Sequence, residues 1–195
     1  MVPMEKILLI GGGGHCKSVI DVIEQTGLYE IAGIIDVREK VGDLLFGYPV
    51  VGTDEDIDSL GRTIDAFHIT LGMIGISEKR AALYNDLVRK GYNFPVIQSP
   101  LAYVSKHATI GQGTVIMHNA FVNAGAIVGE NCILNTRCLI EHDAVIGNHC
   151  HISTGAIING GVTVGNGSFI GSGAVSKQGS VIPAGTFIKA NSIIK

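Results

Sequence analysis

The sequence predicts two folds in one chain: a small α/β domain over residues 1–98 and a parallel β-solenoid of hexapeptide repeats over residues 99–195. Three observations lead to this prediction. Strand-like and helix-like segments alternate through the first half, which indicates a small parallel sheet. From Ala102 to the C terminus the chain repeats every six residues without an insertion, which is typical of a parallel β-helix. The 27 glycines suit a turn-rich solenoid better than a helical protein.

The first half contains the following predicted elements. The strands are Lys6–Ile10, Ile31–Ile35, Pro49–Gly52, Ala66–Leu71 and Phe94–Ile97, and the helices are Lys17–Thr26, Asp54–Leu60 and Glu78–Lys90. This order indicates a Rossmann-like domain with a parallel sheet, and Gln98–Leu101 is the expected linker to the second half.

A glycine run lies between the first predicted strand and the first predicted helix. Gly11–Gly14 and the following His15 occupy the place at which backbone N–H groups and a helix dipole hold phosphate. The spacing is not a clean G-x-G-x-x-G, because the third glycine position falls on Cys16 or Lys17. We therefore interpret the run as a site for a nucleotide diphosphate rather than for NAD, with a plain tight turn as the alternative.

Two further residues lie at the ends of predicted strands in this domain. Asp36 ends the second strand, where its carboxylate would accept a hydrogen bond from a ribose or a base; its alternative is a solvated surface carboxylate. Gly72 follows the strand that ends at Leu71. Ligands of open α/β sheets bind at such strand ends. His15 would donate to a phosphate or, alternatively, be an exposed turn residue.

Each block of six in the second half has a fixed chemical pattern. The third residue is Ile, Val or Leu in every block except at Ser176, and the first is nearly always Ala, Cys, Ser or Thr. Three strands close a triangular coil of about 18 residues, in which the third residue points inward. Families with this repeat usually coil left-handed, although the pattern itself does not set the hand. The blocks read AYVSKH, ATIGQG, TVIMHN, AFVNAG, AIVGEN, CILNTR, CLIEHD, AVIGNH, CHISTG, AIINGG, VTVGNG, SFIGSG, AVSKQG, SVIPAG, TFIKAN and SIIK.

Composition excludes several classes of partner. The net charge is −3 and only 16% of residues are charged, without a Lys/Arg cluster, so nucleic acid is not an expected partner. No apolar run approaches the roughly 20 residues of a membrane span. The start MVPMEKILLI is read as a strand without a signal-peptide cleavage region.

Cysteine placement predicts buried thiols in a reducing compartment. Cys132, Cys138 and Cys150 occupy the first position of their blocks, where other small residues also occur. Cys132 and Cys138 lie one strand apart on different faces of the triangle, which is poor geometry for a disulfide. We therefore expect free thiols and a cytoplasmic location.

The most informative histidine of the repeat is His142. It occupies a turn position and therefore projects outward, and Asp143 follows it directly. A carboxylate beside an imidazole raises its basicity, and a histidine that titrates near neutral pH is able to take a proton from an attacking amine or hydroxyl. A metal site is not expected, because no H-x-H set recurs at the 18-residue interval.

His151 lies nine residues after His142, which is half a coil. The two side chains should therefore lie on roughly opposite sides of one solenoid. They share a site only if a neighbouring subunit presents His151 across an interface, which predicts an intersubunit site in a cyclic oligomer. His118 and His149 are expected at the surface or in an interface.

The chain resembles the NeuD/PglD group of bacterial sugar acyltransferases over its whole length. The resemblance rests on a small nucleotide-binding α/β domain before a β-helix that contains LNTRCLIEHDAVIG and HISTGAIINGGVTVG. It implies a left-handed β-helix, a cytoplasmic homotrimer with active sites between subunits, and acetyl-CoA as co-substrate without a metal. The closing Gly-x-Pro-Ala of the family is replaced here by Lys189–Ser192.

The same resemblance implies roles for individual residues. His142 is the expected general base, and Asp143, in place of the more common Glu, is expected to tune it. His151 is expected to contact the acetyl donor, and Asn135 to lie near the acceptor. The expected contacts to CoA are Ser172 and Gly173, and the expected contacts to the UDP part of a nucleotide sugar are Gly13, Gly14, His15, Asp36 and Gly72.

Three functions remain open from the sequence. The first is N-acetylation of a UDP-linked amino sugar in bacterial glycan biosynthesis. The second is O-acetylation of sialic acid or a related sugar, as in NeuD-like members that share the sequence motif NTR-x-LIEH. The third is a non-catalytic β-helix that binds a nucleotide sugar or acts as a scaffold, and the adjacency of His142 and Asp143 argues against it.

Overall fold

The computed structural model describes residues 4–75 and 78–195. The chain divides into two compact units. We call Met1–Gly72 with Tyr84–Pro95 the α/β unit, and Met73–Leu83 with Val96–Lys195 the solenoid unit. The expectation that the N terminus carries no signal peptide falls partly on residues 1–3, which lie outside the described residues.

The sheet of the α/β unit has five strands among the described residues, in the order β3-β4-β2-β1-β5. The pairs β1–β2, β1–β5 and β2–β4 are parallel, whereas β3–β4 is antiparallel. The elements are β1 (Glu5–Ile10), α1 (Gly14–Thr26), β2 (Tyr29–Ile35), β3 (Leu44–Leu45), β4 (Tyr48–Gly52), α2 (Ile57–Leu60) and β5 (Ala66–Ile69). Helix α3 (Glu78–Arg89) begins in residues assigned to the solenoid unit and ends in the α/β unit.

Burial explains why β1 and α1 form where they do. Ile7–Ile10 is a continuous buried run, as expected for a central parallel strand. Helix α1 buries one stripe that includes Val19 and Ile23 at helical spacing. It ends where Gly27, at φ +62°, donates its N–H to the carbonyl of Ile23. The strand and the helix therefore fix the loop Gly11–Gly13 that joins them.

Two details of this unit differ from the sequence prediction. The hairpin of β3 and β4 was not expected, because Leu44–Leu45 is too short to stand out as a strand. The strand predicted at Phe94–Ile97 was wrong. The strand found there is β6 (Ile97–Gln98), and it pairs with a strand of the solenoid instead of extending the α/β sheet.

The solenoid unit is a parallel β-helix of two-residue strands. After β6 these strands are β7 (Tyr103–Val104), β8 (Thr109–Ile110), β9 (Val115–Ile116), β10 (Phe121–Val122), β11 (Ile127–Val128), β12 (Ile133–Leu134), β13 (Leu139–Ile140), β14 (Val145–Ile146), β15 (His151–Ile152), β16 (Ile157–Ile158), β17 (Thr163–Val164), β18 (Phe169–Ile170), β19 (Val175–Ser176), β20 (Val181–Ile182), β21 (Phe187–Ile188) and β22 (Ile193–Ile194).

Every third strand stacks in parallel, so residues 18 apart are neighbours in adjacent coils, as Leu139 and Ile157 are. This stacking makes three sheets. Sheet 1 contains β6, β9, β12, β15, β18 and β21; sheet 2 contains β7, β10, β13, β16, β19 and β22; and sheet 3 contains β8, β11, β14, β17 and β20. The predicted 18-residue coil is confirmed by this register.

The first and third residues of the blocks form the core of the solenoid. The aliphatic third residues from Ile116 to Ile170 and the small first residues between them are almost completely buried. Ser176, the exception in the pattern, is also buried, at 1% exposure. Position within a block therefore predicts which side chains lie inside.

All four cysteines fall within the described residues and are buried free thiols, as predicted. Among the helices that the structure describes, none combines the length and the apolar character that crossing a membrane requires.

Candidate functional site

The pair His142 and Asp143 lies at the corner that follows β13. His142 Nδ1 is 2.8 Å from Asp143 Oδ2, and the two side chains are 54% and 72% exposed. Asp143 has φ +58°, a left-handed conformation that Asp tolerates better than most residues. Because a carboxylate only accepts hydrogen bonds, Nδ1 carries the proton and Nε2 is the basic atom of the neutral ring.

Two carboxylates raise the basicity of His142. The hydrogen bond to Asp143 raises the pKa of His142 above its ordinary value of 6.5 and outweighs the opposing effect of desolvation. The negative charges of Asp143 and Glu141 add to the increase. The exposed ring is therefore a stronger base than an isolated histidine, which suits general base catalysis.

A hydrogen-bond network behind this pair was missed in the sequence. Glu141 Oε2 accepts from Asn123 Nδ2 at 2.7 Å and from the backbone N–H of His142 at 3.1 Å. The Asn123 side chain is the main cause that lowers the pKa of Glu141. Asn123 and Glu141 are 18 residues apart, which is the signal that would have paired them across adjacent coils.

His151 is 7% exposed and uses both ring nitrogens inside its own chain. Its Nδ1 lies 2.7 Å from the carbonyl oxygen of Met73, and its Nε2 lies 3.1 Å from Asn135 Nδ2. A carbonyl only accepts, so Nδ1 is the protonated nitrogen and Nε2 accepts from the Asn135 amide. Burial is the main cause that lowers the pKa of His151 to about 4, so the ring is neutral at physiological pH.

Asn135 and His151 are therefore hydrogen-bonded to each other, although the family resemblance assigns Asn135 to the acceptor and His151 to the acetyl donor. Asn135 Oδ1 accepts from the N–H of Thr136 at 2.8 Å, which fixes the orientation of the amide. Met73 was not recognised in the sequence, because no local pattern ties it to a residue 78 positions later.

Ser172 and Gly173 lie at the corner that precedes β19. The hydroxyl of Ser172 is 2.9 Å from that of Ser153 and remains exposed. Gly173, at φ +67°, donates its N–H to the carbonyl of Thr154 at 3.0 Å. This corner thus presents the exposed hydroxyl of Ser172, whereas the N–H of Gly173 is used within the chain.

A buried arginine near His151 was also missed. Arg80, in α3, is 1% exposed, and burial lowers its pKa to about 10, so it stays charged at neutral pH. Its charge contributes to the lowered pKa values of His149 and His151, for which burial is the larger cause. His149 and His118 are half-buried and contact Asn131 and Ser99, respectively.

His142 and Asn135 lie at opposite edges of sheet 2, because Asn135 precedes β13 and His142 follows it. The structure does not bring them together within one chain. The outward side chains of sheet 2 between them are apolar, and Tyr103 stacks on Phe121 with ring centres 4.6 Å apart. These outward residues are Tyr103, Phe121, Leu139, Ile157, Val175 and Ile193, of which Tyr103 is 55% and Ile193 69% exposed.

A cavity of about 270 Å³ lies at the glycine run of the α/β unit. Gly13 is the N-cap of α1, and a side chain at Gly13 or Gly14 would meet only open space. The first turn of α1 therefore points its N–H groups at a cavity without obstruction, which suits an anion. The cavity is lined by Gly12, Gly13, Gly14, Lys17, Asp36, Lys40, Asp43, Leu44, Leu45 and Val50.

The carboxylate of Asp36 already accepts several hydrogen bonds from its own chain. Oδ2 accepts from Lys40 Nζ at 2.8 Å and from the N–H of Gly12 at 3.0 Å, and Oδ1 accepts from the N–H of Val37 at 2.8 Å. Burial alone would raise the pKa of Asp36, but these donors, led by Lys40, outweigh it and lower the pKa. Lys40 was missed in the sequence; its signal is a cation four residues after the strand-end acid.

His15 and Gly72 do not line this cavity. His15 is the second residue of α1 and is half-buried. A Cβ atom built on Gly72 would lie 3.4 Å from the Cβ of His15, so the two residues are neighbours. Of the residues predicted for the nucleotide, the cavity thus brings together Gly13, Gly14 and Asp36. Over the ranges 4–75 and 78–195, no cluster of three or more His, Cys, Asp or Glu could hold a metal ion.

Two family models match the chain. The PglD N-terminal domain matches residues 6–87, and the bacterial transferase hexapeptide (six repeats) matches residues 107–142 and 143–175. The acetyltransferase domain of PglB from Neisseria gonorrhoeae is 30% identical, with a TM-score of 0.90 over 98% of this chain and 91% of that one. The chain belongs to the NeuD/PglD type of bacterial sugar acetyltransferases. The family predicted from the sequence is confirmed, and so is the fold, an α/β domain followed by a left-handed β-helix.

Two of the similar structures contain ligands. The same Neisseria domain in complex with acetyl coenzyme A is 31% identical, with a TM-score of 0.90 over 98% of this chain and 93% of that one. PerB from Caulobacter crescentus in complex with CoA and GDP-perosamine is 28% identical, with a TM-score of 0.90 over 100% of this chain and 90% of that one.

A curated relative is the uncharacterized protein L142 of Acanthamoeba polyphaga mimivirus. It is 32% identical over 110 residues, which are 56% of this chain. The chain spans about a fifth of the length of that relative, since the match covers 21% of it.

Proposed function

We propose that this protein transfers the acetyl group of acetyl-CoA to an amino group of a UDP-linked amino sugar. The observation that carries the proposal is the hydrogen bond between His142 and Asp143 on an exposed corner of the β-helix. The Asp143 carboxylate holds the Nδ1 proton and thereby leaves Nε2 to take a proton from a substrate. A scaffold or a simple binding protein has no need for such a pair.

The reaction needs two proton transfers at His142. Acetyl-CoA supplies an activated acyl group and a thiolate leaving group when bound. His142 Nε2 removes a proton from the attacking amine, and the carboxylate of Asp143 stabilises the imidazolium that forms. The imidazolium then returns its proton to the departing thiolate, which leaves His142 neutral for the next cycle. General base catalysis of this kind typically contributes about 10²–10⁴-fold.

The residues at the other edge of sheet 2 fit the acetyl donor. Asn135 is oriented by His151, and Ser172 and Gly173 lie at a corner where the hydroxyl of Ser172 contacts that of Ser153. Ser172 and Gly173 therefore bind acetyl-CoA. His151 acts on the acetyl donor through Asn135, which it orients and which lies near the acceptor.

Because His142 and Asn135 lie at opposite edges of sheet 2, a complete site needs two chains. The apolar outward side chains of sheet 2 favour contact with a second copy, since a continuous exposed stripe of this kind marks an interface. A homotrimer places the His142 edge of one copy beside the Asn135 edge of the next. The buried free thiols fit assembly in the cytoplasm.

The α/β unit binds the nucleotide of the acceptor. The open N terminus of α1 at Gly13 and Gly14 receives the diphosphate, and Lys17 and Lys40 add positive charge to the same cavity. Asp36 lines the same cavity, and the neighbouring residues His15 and Gly72 contact the rest of the nucleotide. The similar PerB from Caulobacter crescentus, solved in complex with CoA and GDP-perosamine, supports a nucleotide-linked acceptor.

The test is thiol release from acetyl-CoA with a panel of acceptors, namely UDP-linked and GDP-linked amino sugars and free sialic acids. We expect turnover with a UDP-linked amino sugar. Faster turnover with the GDP-linked sugar would show that the acceptor is linked to GDP instead of UDP. Turnover with sialic acid would favour O-acetylation.

The variant His142→Ala should lose turnover by about 10²–10⁴-fold and still bind the nucleotide sugar in calorimetry. His107→Ala is the matched control, because His107 is another exposed corner histidine of the solenoid. Undiminished turnover in His142→Ala would refute the general-base role. Binding of a nucleotide sugar without turnover of any acceptor by the unmodified protein would favour the non-catalytic alternative.

A further inference from the structure

We propose that Gly160 is a positioning residue, whose missing side chain makes room for the imidazole of His142. The proposal rests on the proposed role of His142 as the general base. Gly160 lies 18 residues after His142, so it occupies the same place in the next coil of the solenoid. The ring of His142 lies over the backbone at this position.

Geometry shows how closely the ring and Gly160 approach. A Cβ atom built on Gly160 would lie 2.7 Å from Nε2 of His142, 2.8 Å from Cε1 and 3.3 Å from Cδ2. The first two distances are shorter than real Cβ atoms tolerate, since carbon atoms pack best at about 3.5–4.0 Å. Any side chain at position 160 therefore forces the imidazole away from its present position.

Turn conformation does not account for this glycine. Gly161, the next residue, takes the left-handed conformation of the corner at φ +65°, whereas Gly160 is absent from the residues with positive φ. Gly160 is also the only glycine at the fifth position of any block, where the other blocks carry residues such as Lys, Gln, Asn, Thr and Ala. The room that it leaves for His142 is the feature that distinguishes this position.

A second glycine makes room for the other half of the pair. Gly125 lies one coil before Asp143, and a Cβ atom on Gly125 would collide with Asp143 Oδ1. Gly125 has φ +74°, but this corner conformation does not by itself demand glycine. Residues with side chains adopt it at equivalent corners, among them Asn119, Asn131, Arg137 and His149. The carboxylate thus lies over a glycine of the preceding coil and the imidazole over a glycine of the following coil.

The corner that carries Gly160 is itself held by an irregular contact. In a regular coil the N–H of the fourth residue donates to a backbone carbonyl, as Glu141 does to Ile158 at 2.9 Å. Here the N–H of Asn159 donates instead to the hydroxyl of Ser176 at 2.9 Å, and the Asn159 side chain donates to the carbonyl of Ser176. This contact gives a reason for the polar residue at the inward position 176, and it fixes the backbone next to Gly160.

These contacts restrict the imidazole from several sides. Asp143 accepts a hydrogen bond from Nδ1, and Glu141 accepts one from the backbone N–H of His142. The ring itself packs against the backbone of Gly160. Asp143 and Glu141 are also the charged groups that raise the pKa of the ring. A methyl group at position 160 would displace the ring. The displacement would distort the hydrogen bond between Nδ1 and Asp143, and it would also change the direction in which Nε2 points.

The deciding variant is Gly160→Ala. We expect kcat to fall about 10–100-fold, because a displacement of about 1 Å costs up to about 10²-fold in rate, while binding of the nucleotide sugar is unchanged. The pKa of His142, followed by NMR through its ring Cε1 proton and assigned with His142→Ala, should fall towards the ordinary histidine value. Gln178→Ala, an exposed position one coil further along the same column, is the matched control and should change neither quantity.

The double variant separates a steric effect from a general loss of folding. In the His142→Ala background, Gly160→Ala should have no further effect on rate, and any stability lost in Gly160→Ala should be recovered because the ring is gone. Stability that is not recovered would mean that the backbone itself needs glycine, which overturns the proposal. Unchanged kcat and unchanged His142 pKa in Gly160→Ala would overturn it too. Full activity of His142→Ala alone would instead contradict the general-base assignment, so the two failures are distinguishable.

Discussion

The α/β unit and the solenoid unit place their polar groups by different rules. In the solenoid, position within a block decides which side chains are buried, and neighbours are 18 residues apart along the chain. In the α/β unit the strand order β3-β4-β2-β1-β5 does not follow the sequence, so residues such as Gly12 and Asp36 meet only through the topology. Residues that depart from a repeat can therefore be recognised in the sequence. The residues that form a site on a wound α/β sheet can be recognised only once the fold is known.

The electrostatics of the two units differ in the same way. Asp36 in the α/β unit is saturated by Lys40 and by backbone donors, and its lowered pKa keeps it charged over the physiological range. His142 in the solenoid is exposed and has a raised pKa, so it is able to gain and lose a proton near neutral pH. The first arrangement is suited to binding and the second to proton transfer.

The largest effect that tests this difference is expected for Asp143→Asn. The amide no longer stabilises an imidazolium, so kcat should fall by about 10²–10³-fold. Only the neutral ring accepts a proton, so activity is lost as the pH falls through the pKa of His142. Because Asp143 raises that pKa, the acidic limb of kcat/KM should move to lower pH in the variant. A limb that stays in place would assign the titration to another group.

The next effect concerns the stability of the solenoid in acid. His151 has a pKa of about 4 in the folded chain, whereas an ordinary histidine has a pKa of 6.5, so the unfolded chain takes up a proton that the folded chain does not. Stability should therefore fall as the pH is lowered from about 6.5 to 4, by on the order of 3 kcal/mol. Urea unfolding of the protein and of His151→Gln at pH 7 and pH 4.5 measures this change. An equally steep pH dependence in His151→Gln would remove His151 as its source.

A smaller effect is expected in the α/β unit for Lys40→Ala. The variant leaves the Asp36 carboxylate without its side-chain partner and removes a positive charge from the cavity, so the nucleotide sugar should bind several-fold more weakly. At saturating acceptor, kcat should be unchanged, in contrast to the solenoid variants. Arg38→Ala is the control, because the ion pair of Arg38 with Glu55 is highly exposed. A loss in kcat rather than in binding would contradict the division between the units.

The smallest effect on stability is expected for Ser176→Val. A larger apolar side chain at an inward position offsets the loss of the hydrogen bond to Asn159, so the free energy of unfolding should change by less than about 1.5 kcal/mol. The rate should nevertheless fall several-fold, because the corner at Gly160 is released. Thermal unfolding and kcat together measure this split. A variant with unchanged kcat would limit Ser176 to a purely structural role.

The sequence allowed the solenoid to be predicted in more detail than the α/β unit. Inward third residues, buried cysteines and the adjacent pair His142 and Asp143 all follow from counting in sixes. The strand at Phe94–Ile97 was misplaced because a short apolar run carries no information about its partner, and the partner is β9.

Contacts over long distances in the chain were the part that the sequence could not predict. The carbonyl of Met73 reaches His151 because a segment 78 residues away folds back, whereas the contact of Lys40 with Asp36 is local and its four-residue spacing is visible in the sequence. The pairing of Asn123 with Glu141 lies between these cases, since the 18-residue rule would have found it. The expected roles of Ser172, Gly173, His15 and Gly72 remain predictions that binding studies must test.

The environment of His142 is drawn from only three consecutive coils: Gly125 belongs to the one before, Asp143 to its own, and Gly160 to the one after. Whole coils added or removed elsewhere leave those three untouched, since each coil contacts only its neighbours. The number of coils in the solenoid can therefore change, in evolution or in engineering, without changing the surroundings of His142. A lineage is free to lengthen or shorten the solenoid to suit a larger or smaller acceptor and still inherit the same proton-transfer chemistry.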